Sequence, residues 1–196
     1  MGNSFIDLYN KLLSFYGKQN WWPAESSYEM IAGSILVQNT NWKNVVQVIN
    51  KLKPILEPAE FMKIPISEIE DIIKPTGFFR QKAQYLKNIF SFIMEYPLDY
   101  LKTLETSVIR KMLLSIKGIG KETADSILLY ALDKERFIID TYTKRLLNTL
   151  GITHLKTYEE YQTFIESQIP KDLYLYQEFH ALIVTHNKLN RSFRKL

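Results

Sequence analysis

The sequence predicts an all-α protein. Apolar residues recur at helical spacing along most of the 196 residues, and Phe5, Leu8, Leu12 and Phe15 share one face of the first such segment. The alternation of polar and apolar residues that indicates a β-strand is nearly absent. Glycines and prolines fall between the periodic segments, as Gly17 does after the first, where they end helices.

In chain order, the periodic segments predict a series of helices of ordinary length. Their approximate ranges are 4–16, 26–38, 42–53, 59–63, 67–74, 81–95, 107–116, 121–132, 142–150, 158–168 and 172–188. Two of them begin with a capping-box pattern, Ser26 with Glu29 and Ser67 with Glu70. Pro54 stops one helix, and the turn at 75–77 precedes another.

Composition limits the classes of protein. Hydrophobic residues make up 46% and charged residues 23%, which is ordinary for a globular chain. The net charge of +4 permits contact with a polyanion. The absence of cysteine excludes disulfides, thiolate-held zinc and a cysteine-ligated iron–sulfur cluster. We see no signal peptide and no apolar run long enough to span a membrane, so we expect a cytoplasmic protein without a membrane partner.

The stretch 115–140 contains the most informative motif of the sequence. Its sequence Lys117-Gly118-Ile119-Gly120 predicts a tight turn between two helices, where glycine allows positive φ and close approach of another backbone. The helix that follows starts with free backbone N–H groups, flanked by Lys117 and Lys121, and such a start can bind a phosphate oxygen. Asp140 comes twenty positions after Gly120 and directly before another helical pattern.

Each of these features also has a simpler interpretation. A helix, a glycine turn and a second helix are most often only a helical hairpin. Asp140 could serve only as the N-cap of the helix that follows. Spacing alone favours these structural roles, because short motifs are weak evidence of function.

The sequences KGIGKETADSILLYA and FIIDTYTKRLL resemble the helix–hairpin–helix and catalytic-aspartate signature of the endonuclease III superfamily of DNA glycosylases. Within it, WWPAESSYEMIAGSILVQNTNW and PTGFFRQKAQYLKN are most similar to the 3-methyladenine DNA glycosylase III branch. The resemblance implies a two-lobed fold. Residues 22–134 would form a central helical barrel containing the hairpin at about 106–133. Residues 1–21 and 135–196 would form a second helical lobe, which carries the catalytic aspartate near the cleft.

The resemblance also implies roles for individual residues. Asp140 would stabilise the positive charge that develops on the sugar when the glycosidic bond breaks. Gln38 would fill the gap left by the extruded base, and Phe78 would part the stacked bases. The base pocket would contain Trp42, Trp21, Trp22 and Lys188. The DNA backbone would contact Lys117, Gly118, Gly120, Lys121 and Thr123.

One position bears on the reaction type. In superfamily members that also cleave the strand, a lysine two places after the second hairpin glycine forms a Schiff base. Here that position is Glu122, and Lys121 points about 100° away on a helix. The resemblance therefore implies a monofunctional glycosylase that flips and hydrolyses off alkylated bases of the 3-methyladenine type. No cofactor is expected, although backbone carbonyls from Ser115, Lys117 or Gly118 onward could bind a monovalent cation.

The expected partner is double-stranded DNA that contains damaged bases, and we expect a nucleoid-associated monomer. His154, His180 and His186 form no metal-ligand pattern, so no metal site is expected, and His180 is interpreted as a hydrogen-bonded interior group. Two alternatives stay open: a glycosylase for a mispaired or oxidised base, and a non-catalytic module whose hairpin only holds backbone phosphates.

Overall fold

A computed structural model of the chain describes residues 5–20 and 24–189. These residues form twelve α-helices and no β-strand, which confirms the all-α prediction. In chain order the helices are α1 Phe5–Tyr16, α2 Ser27–Leu36, α3 Trp42–Leu52, α4 Pro58–Lys63, α5 Ile66–Ile73, α6 Phe79–Glu95, α7 Leu98–Thr103, α8 Thr106–Leu114, α9 Lys121–Ala131, α10 Thr141–Thr149, α11 Tyr158–Gln168 and α12 Leu173–Lys188. Within the described ranges, no helix has both the length and the apolarity to cross a bilayer.

The chain separates into two compact units. One unit is Ala24–Asp133, and the other combines Met1–Pro23 with Lys134–Leu196. We call them the middle unit and the terminal unit. The middle unit is continuous in sequence, whereas the terminal unit is assembled from both ends of the chain.

The middle unit is built around α2 and α9, which pack against each other. Residues 29–36 of α2 and 123–129 of α9 are buried on every face, as expected of helices at the centre of a core. Around them, α4 and α5 pack on α6, where the rings of Phe61 and Phe90 stack 4.3 Å apart. The second helix of the hairpin, α9, is thus packed into the core of the middle unit against α2.

In the terminal unit, α12 packs against both α1 and α10. Its buried face includes Tyr176 and Phe179, and both rings meet Phe137 edge-on at 5.5 Å and 6.0 Å. Phe137 lies in the non-helical run that leads to α10, and its carbonyl accepts a hydrogen bond from the Gln162 side chain. These contacts hold Phe137 in place, three residues before Asp140 at the start of α10.

Side-chain caps explain where several helices begin. The Ser26 hydroxyl accepts from the Glu29 N–H at 3.1 Å, so the predicted N-cap of α2 is present. The Glu29 carboxylate accepts instead from the Glu25 N–H, so the reciprocal half of the capping box does not form. In α11, Thr157 and Glu160 form a complete capping box.

Two elements differ from the sequence-based expectation. The prediction of a capping box at Ser67 and Glu70 is wrong, because α5 begins at Ile66 with Pro65 as its N-cap residue. Proline has a fixed φ and no N–H, which suits this boundary and moves Ser67 into the first turn. In addition, α7 was not predicted, because six residues carry too little periodicity to detect.

Candidate functional site

The predicted hairpin is present in the middle unit. It joins α8 to α9, and Gly118 has φ +103° while Gly120 is the N-cap residue of α9. The N-cap residue is a glycine and makes no side-chain capping bond, and a helix start of this kind can bind an anion through its backbone N–H groups. Lys117 and Lys121 are exposed on either side of the turn. This geometry suits a backbone phosphate.

Gly118 is required for a second reason besides its backbone angle. A Cβ built at this position would lie 2.1 Å from the Tyr85 ring of α6, well inside contact distance. The Asn88 side chain on the same helix donates to the Lys117 carbonyl at 3.0 Å. The hairpin turn is therefore seated directly on α6.

We expect Gly118→Ala to destabilise the protein by about 2–4 kcal/mol, since it combines a disfavoured left-handed angle with an overlap with a ring. Urea unfolding followed by circular dichroism measures the change. Gly77→Ala is the matched control: Gly77 also has positive φ, but nothing lies within 4 Å of the added Cβ, so about 1 kcal/mol is expected. Equal losses in the two variants would contradict the role assigned to Tyr85.

Gln38, the predicted plug residue, is docked on this hairpin. Its amide Nε2 donates to the Gly118 carbonyl at 3.1 Å and to the Thr123 hydroxyl at 3.0 Å. Thr123 is buried, and its hydroxyl accepts the bond from Gln38. Its backbone N–H belongs to the first turn of α9. Gln38 thus lies after the end of α2 in contact with the segment predicted to bind the DNA backbone.

Phe78, the predicted wedge residue, is 62% exposed and adopts a left-handed conformation, with φ +49°. It is the N-cap residue of α6, and the next residue, Phe79, is half-buried, so the two neighbouring phenylalanines are separated into an outer and an inner one. Trp42 is half-buried at the first position of α3, where Asn41 caps the helix.

Asp140 lies in the terminal unit and is the N-cap residue of α10, so the predicted capping role is present. Its Oδ1 accepts from the Thr143 N–H at 2.7 Å, and its Oδ2 lies 3.5 Å from His180 Nε2 on α12. The side chain is 13% exposed. Burial by itself raises the pKa of Asp140, but His180 and the bonds from Thr143 outweigh it and hold the pKa below its ordinary value.

Lys188 lies at the end of α12, in the same unit as Asp140. Surrounding protein lowers the pKa of its amine by desolvation, and the Asp140 carboxylate opposes this shift. The residue as a whole is exposed. Asp140, His180 and Lys188 therefore form one electrostatic group.

Trp21 and Trp22 lie outside the described residues. The chain just before them is anchored to α12: the buried Glu178 carboxylate accepts from the N–H groups of Gln19 and Asn20, the latter at 3.3 Å. The Thr185 hydroxyl donates to the Gln19 side chain at 2.9 Å.

Across 5–20 and 24–189, no cluster of three or more histidine or acidic side chains could hold a metal ion.

Two residues near these features were not predicted as functional. His180 was interpreted only as an interior group, and its distance of 40 positions from Asp140 gives no local signal of their pairing. Lys82 is 2% exposed on α6 and contacts both the end of α2 and the turn before Phe78. A lysine among the apolar positions of an amphipathic helix was the available signal for Lys82.

Comparison with known proteins shows the family to which the chain is related. Residues 32–171 match the family described as HhH-GPD superfamily base excision DNA repair protein. The chain is 48% identical over 191 residues to a protein of Methanocaldococcus jannaschii assigned as a DNA repair glycosylase, covering 92% of this chain and 86% of that one. It is 28% identical over 148 residues to endonuclease III of Thermotoga maritima, covering 75% and 67%.

Among solved structures, the fold is similar to that of H. pylori 3-methyladenine DNA glycosylase (MagIII) bound to 1,N6-ethenoadenine. The TM-score is 0.84 and the sequence identity is 29%, and the match covers 95% of this chain and 98% of that chain.

Proposed function

Because the chain belongs to the HhH-GPD superfamily of base excision DNA repair proteins, we propose that it is a monofunctional DNA glycosylase for alkylated bases of the 3-methyladenine type. The family assignment supports a DNA glycosylase, and the similarity to the H. pylori enzyme along nearly the whole chain supports the substrate class. The substrate would be a damaged base in double-stranded DNA.

The observation that carries the proposal is the state of Asp140. The carboxylate is mostly buried, fixed by the Thr143 N–H at 2.7 Å, and has a lowered pKa. A fixed anion in a poorly solvated position is well suited to stabilise a cationic, oxocarbenium-like sugar. An N-cap role alone would not require the contact with His180.

The same property decides how Asp140 acts on water. A carboxylate whose pKa lies below its ordinary value is a weak base at neutral pH. Its contribution is therefore electrostatic stabilisation of the sugar and orientation of the attacking water, rather than early removal of a proton. Hydrolysis proceeds because the sugar carbon becomes strongly electrophilic as the base departs.

Extrusion of the nucleotide precedes this step and costs a few kcal/mol. Phe78, exposed on a turn, would part the stacked bases, and Gln38 would fill the space left in the duplex. The start of α9, with Lys117 and Lys121 beside it, would hold the backbone phosphates. Phosphate contacts fix the register of the protein but carry no information about the base.

Alkylated purines suit this set of residues. A purine that carries a positive charge is already a good leaving group, so no general acid is needed. The Trp42 ring would favour such a base over a neutral one by about 0.5–2 kcal/mol.

The exposed Glu122 supports a glycosylase without strand cleavage. It occupies the position of the Schiff-base lysine in the strand-cleaving relatives, and a carboxylate cannot form that intermediate. The reaction would therefore end at an intact strand with an abasic site.

The test is incubation of the protein with methylated duplex DNA, separation of the released bases, and electrophoresis of the strand with and without alkali. We expect free 3-methyladenine, with breaks that appear only after alkali. Duplexes that carry a mispaired or an oxidised base serve as parallel substrates.

Two results would oppose the proposal. Strand breaks without alkali, or trapping of a covalent complex by borohydride, would show a lyase. Duplex binding with no release of any base would favour the non-catalytic module.

A further inference from the structure

A single buried ammonium group connects the segments that carry Gln38 and Phe78. Lys82 Nζ donates to the Leu36 carbonyl at 2.9 Å and to the Thr76 carbonyl at 2.8 Å. Leu36 is the last residue of α2 and lies two positions before Gln38. Thr76 ends a 3₁₀ turn, Lys74–Thr76, and lies two positions before Phe78.

Both acceptors are carbonyls at a helical C-terminus. Such carbonyls have no partner within their own helix and carry the negative end of the helix dipole, so a cation stabilises them. In the part of the chain that the structure describes, no carboxylate pairs with Lys82. Burial lowers the pKa of Lys82 to about 8, which leaves the amine mostly protonated at neutral pH.

The backbone of Lys82 holds the second segment as well. Its N–H donates to the Phe78 carbonyl at 3.0 Å, in the first turn of α6. Lys82 therefore contacts both the backbone that leads to Gln38 and the backbone that carries Phe78. An apolar side chain of the same length could fill this space but could not join the two carbonyls.

We propose that Lys82 is a positioning residue for base extrusion, which fixes the spacing between Gln38 and Phe78 so that both enter the duplex as one unit. This inference rests on the proposed function for the roles of Gln38 and Phe78. Both side chains would act at the same base step, where a displacement of about 1 Å can lower a rate by about 100-fold.

The central experiment compares Lys82→Met with Lys87→Met. Lys87 is a matched control on the same helix: its Nζ donates to the carbonyls of Phe61, Met62 and Ile64, and burial lowers its pKa too. Both variants lose an ammonium that donates to backbone carbonyls, buried at Lys82 and half-buried at Lys87, but only Lys82 touches the segments that carry Gln38 and Phe78. Any general loss of stability should therefore appear in both.

Affinity for a duplex with a stable abasic-site analogue is measured for Gln38→Ala, Phe78→Ala and the double variant, in each background. In wild type and in Lys87→Met, we expect the combined effect to differ from the product of the single effects by at least about threefold. In Lys82→Met, the effects should multiply independently. The single-turnover rate of base release should fall at least about tenfold in Lys82→Met and less than about threefold in Lys87→Met.

Independent effects of Gln38→Ala and Phe78→Ala in the wild-type background would overturn the inference, even if Lys82→Met failed to fold. Coupling that persists in Lys82→Met would do the same. Hydrogen exchange of the free protein gives a test without DNA: Lys82→Met should speed exchange at 37–40 and 76–79 together, and unchanged exchange there contradicts the inference. Failure of wild type to bind or process DNA would instead count against the proposed function.

Discussion

Replacing Asp140 with asparagine is expected to lower the rate of base release by at least about 100-fold, while the protein stays folded at neutral pH and binds duplex DNA with little change in affinity. Asparagine is almost isosteric and is as good an N-cap as aspartate, so the bond from the Thr143 N–H should persist. What disappears is the negative charge. A single-turnover measurement on methylated duplex DNA gives the loss of rate, and a thermal unfolding curve shows whether the variant is still folded.

Asp172→Asn is the matched control for this experiment. Asp172 is the N-cap residue of α12 and accepts from the Leu175 N–H at 2.7 Å, the same distance as at Asp140. Its replacement should leave the rate unchanged within about twofold. A similar loss of rate in both variants, or activity of Asp140→Asn close to wild type, would remove the catalytic assignment of Asp140.

The lowered pKa of Asp140 also predicts how stability depends on pH. Its folded-state pKa lies below the ordinary value of 3.8, so the stability it contributes is fully present above that value and is lost as the pH falls through the folded-state value. The difference in unfolding free energy between wild type and Asp140→Asn should therefore be constant above about pH 5 and should shrink below about pH 4. Urea unfolding at several pH values measures it.

Arg110→Met should cost about 3–5 kcal/mol of unfolding free energy, because it leaves a buried carboxylate without its guanidinium. Arg110 Nε lies 2.7 Å from Asp125 Oδ1, and Nη2 donates to Oδ2 at 3.2 Å, so the pair is bidentate. The Asp125 side chain is completely buried, and the Arg110 side chain is 15% exposed. The pair joins α8 to α9, the two helices of the hairpin.

Chemical unfolding of three further variants tests the cause. Lys63→Met removes a partner of an exposed pair with Glu60 and should cost at most about 1 kcal/mol. Arg110→Met with Asp125→Leu removes both buried charges and should recover much of the loss, since breaking a buried pair costs more than replacing it. A loss below about 1 kcal/mol for Arg110→Met alone would contradict the stabilising role assigned to this pair.

Local chemistry made much of the fold predictable. Periodicity and caps located most helices, because these signals depend on residues three or four positions apart, as at Ser26 and Glu29. The failure at Ser67 has the same local origin: Pro65 and Ser67 offered competing starts for one helix, and proline at the boundary prevailed.

The candidate site was predictable only where its residues have sequence neighbours that give a signal. The turn at Gly118 and the cap at Asp140 were predicted, since both lie at helix boundaries. The contacts of Asp140 with His180 and of Lys82 with Leu36 were not, because they depend on the tertiary packing of helices that are distant in sequence. Tertiary contacts of this kind carry no periodic signal.

The discontinuous terminal unit has a consequence for synthesis on the ribosome. When residue 133 has emerged, the whole middle unit is available to fold, since all of its helices lie between residues 24 and 133. Helix α1, in contrast, packs against α12, which is synthesised only after the whole of the middle unit. The contact between α1 and α12 therefore forms only after the middle unit can fold, and it closes the terminal unit across a large sequence separation.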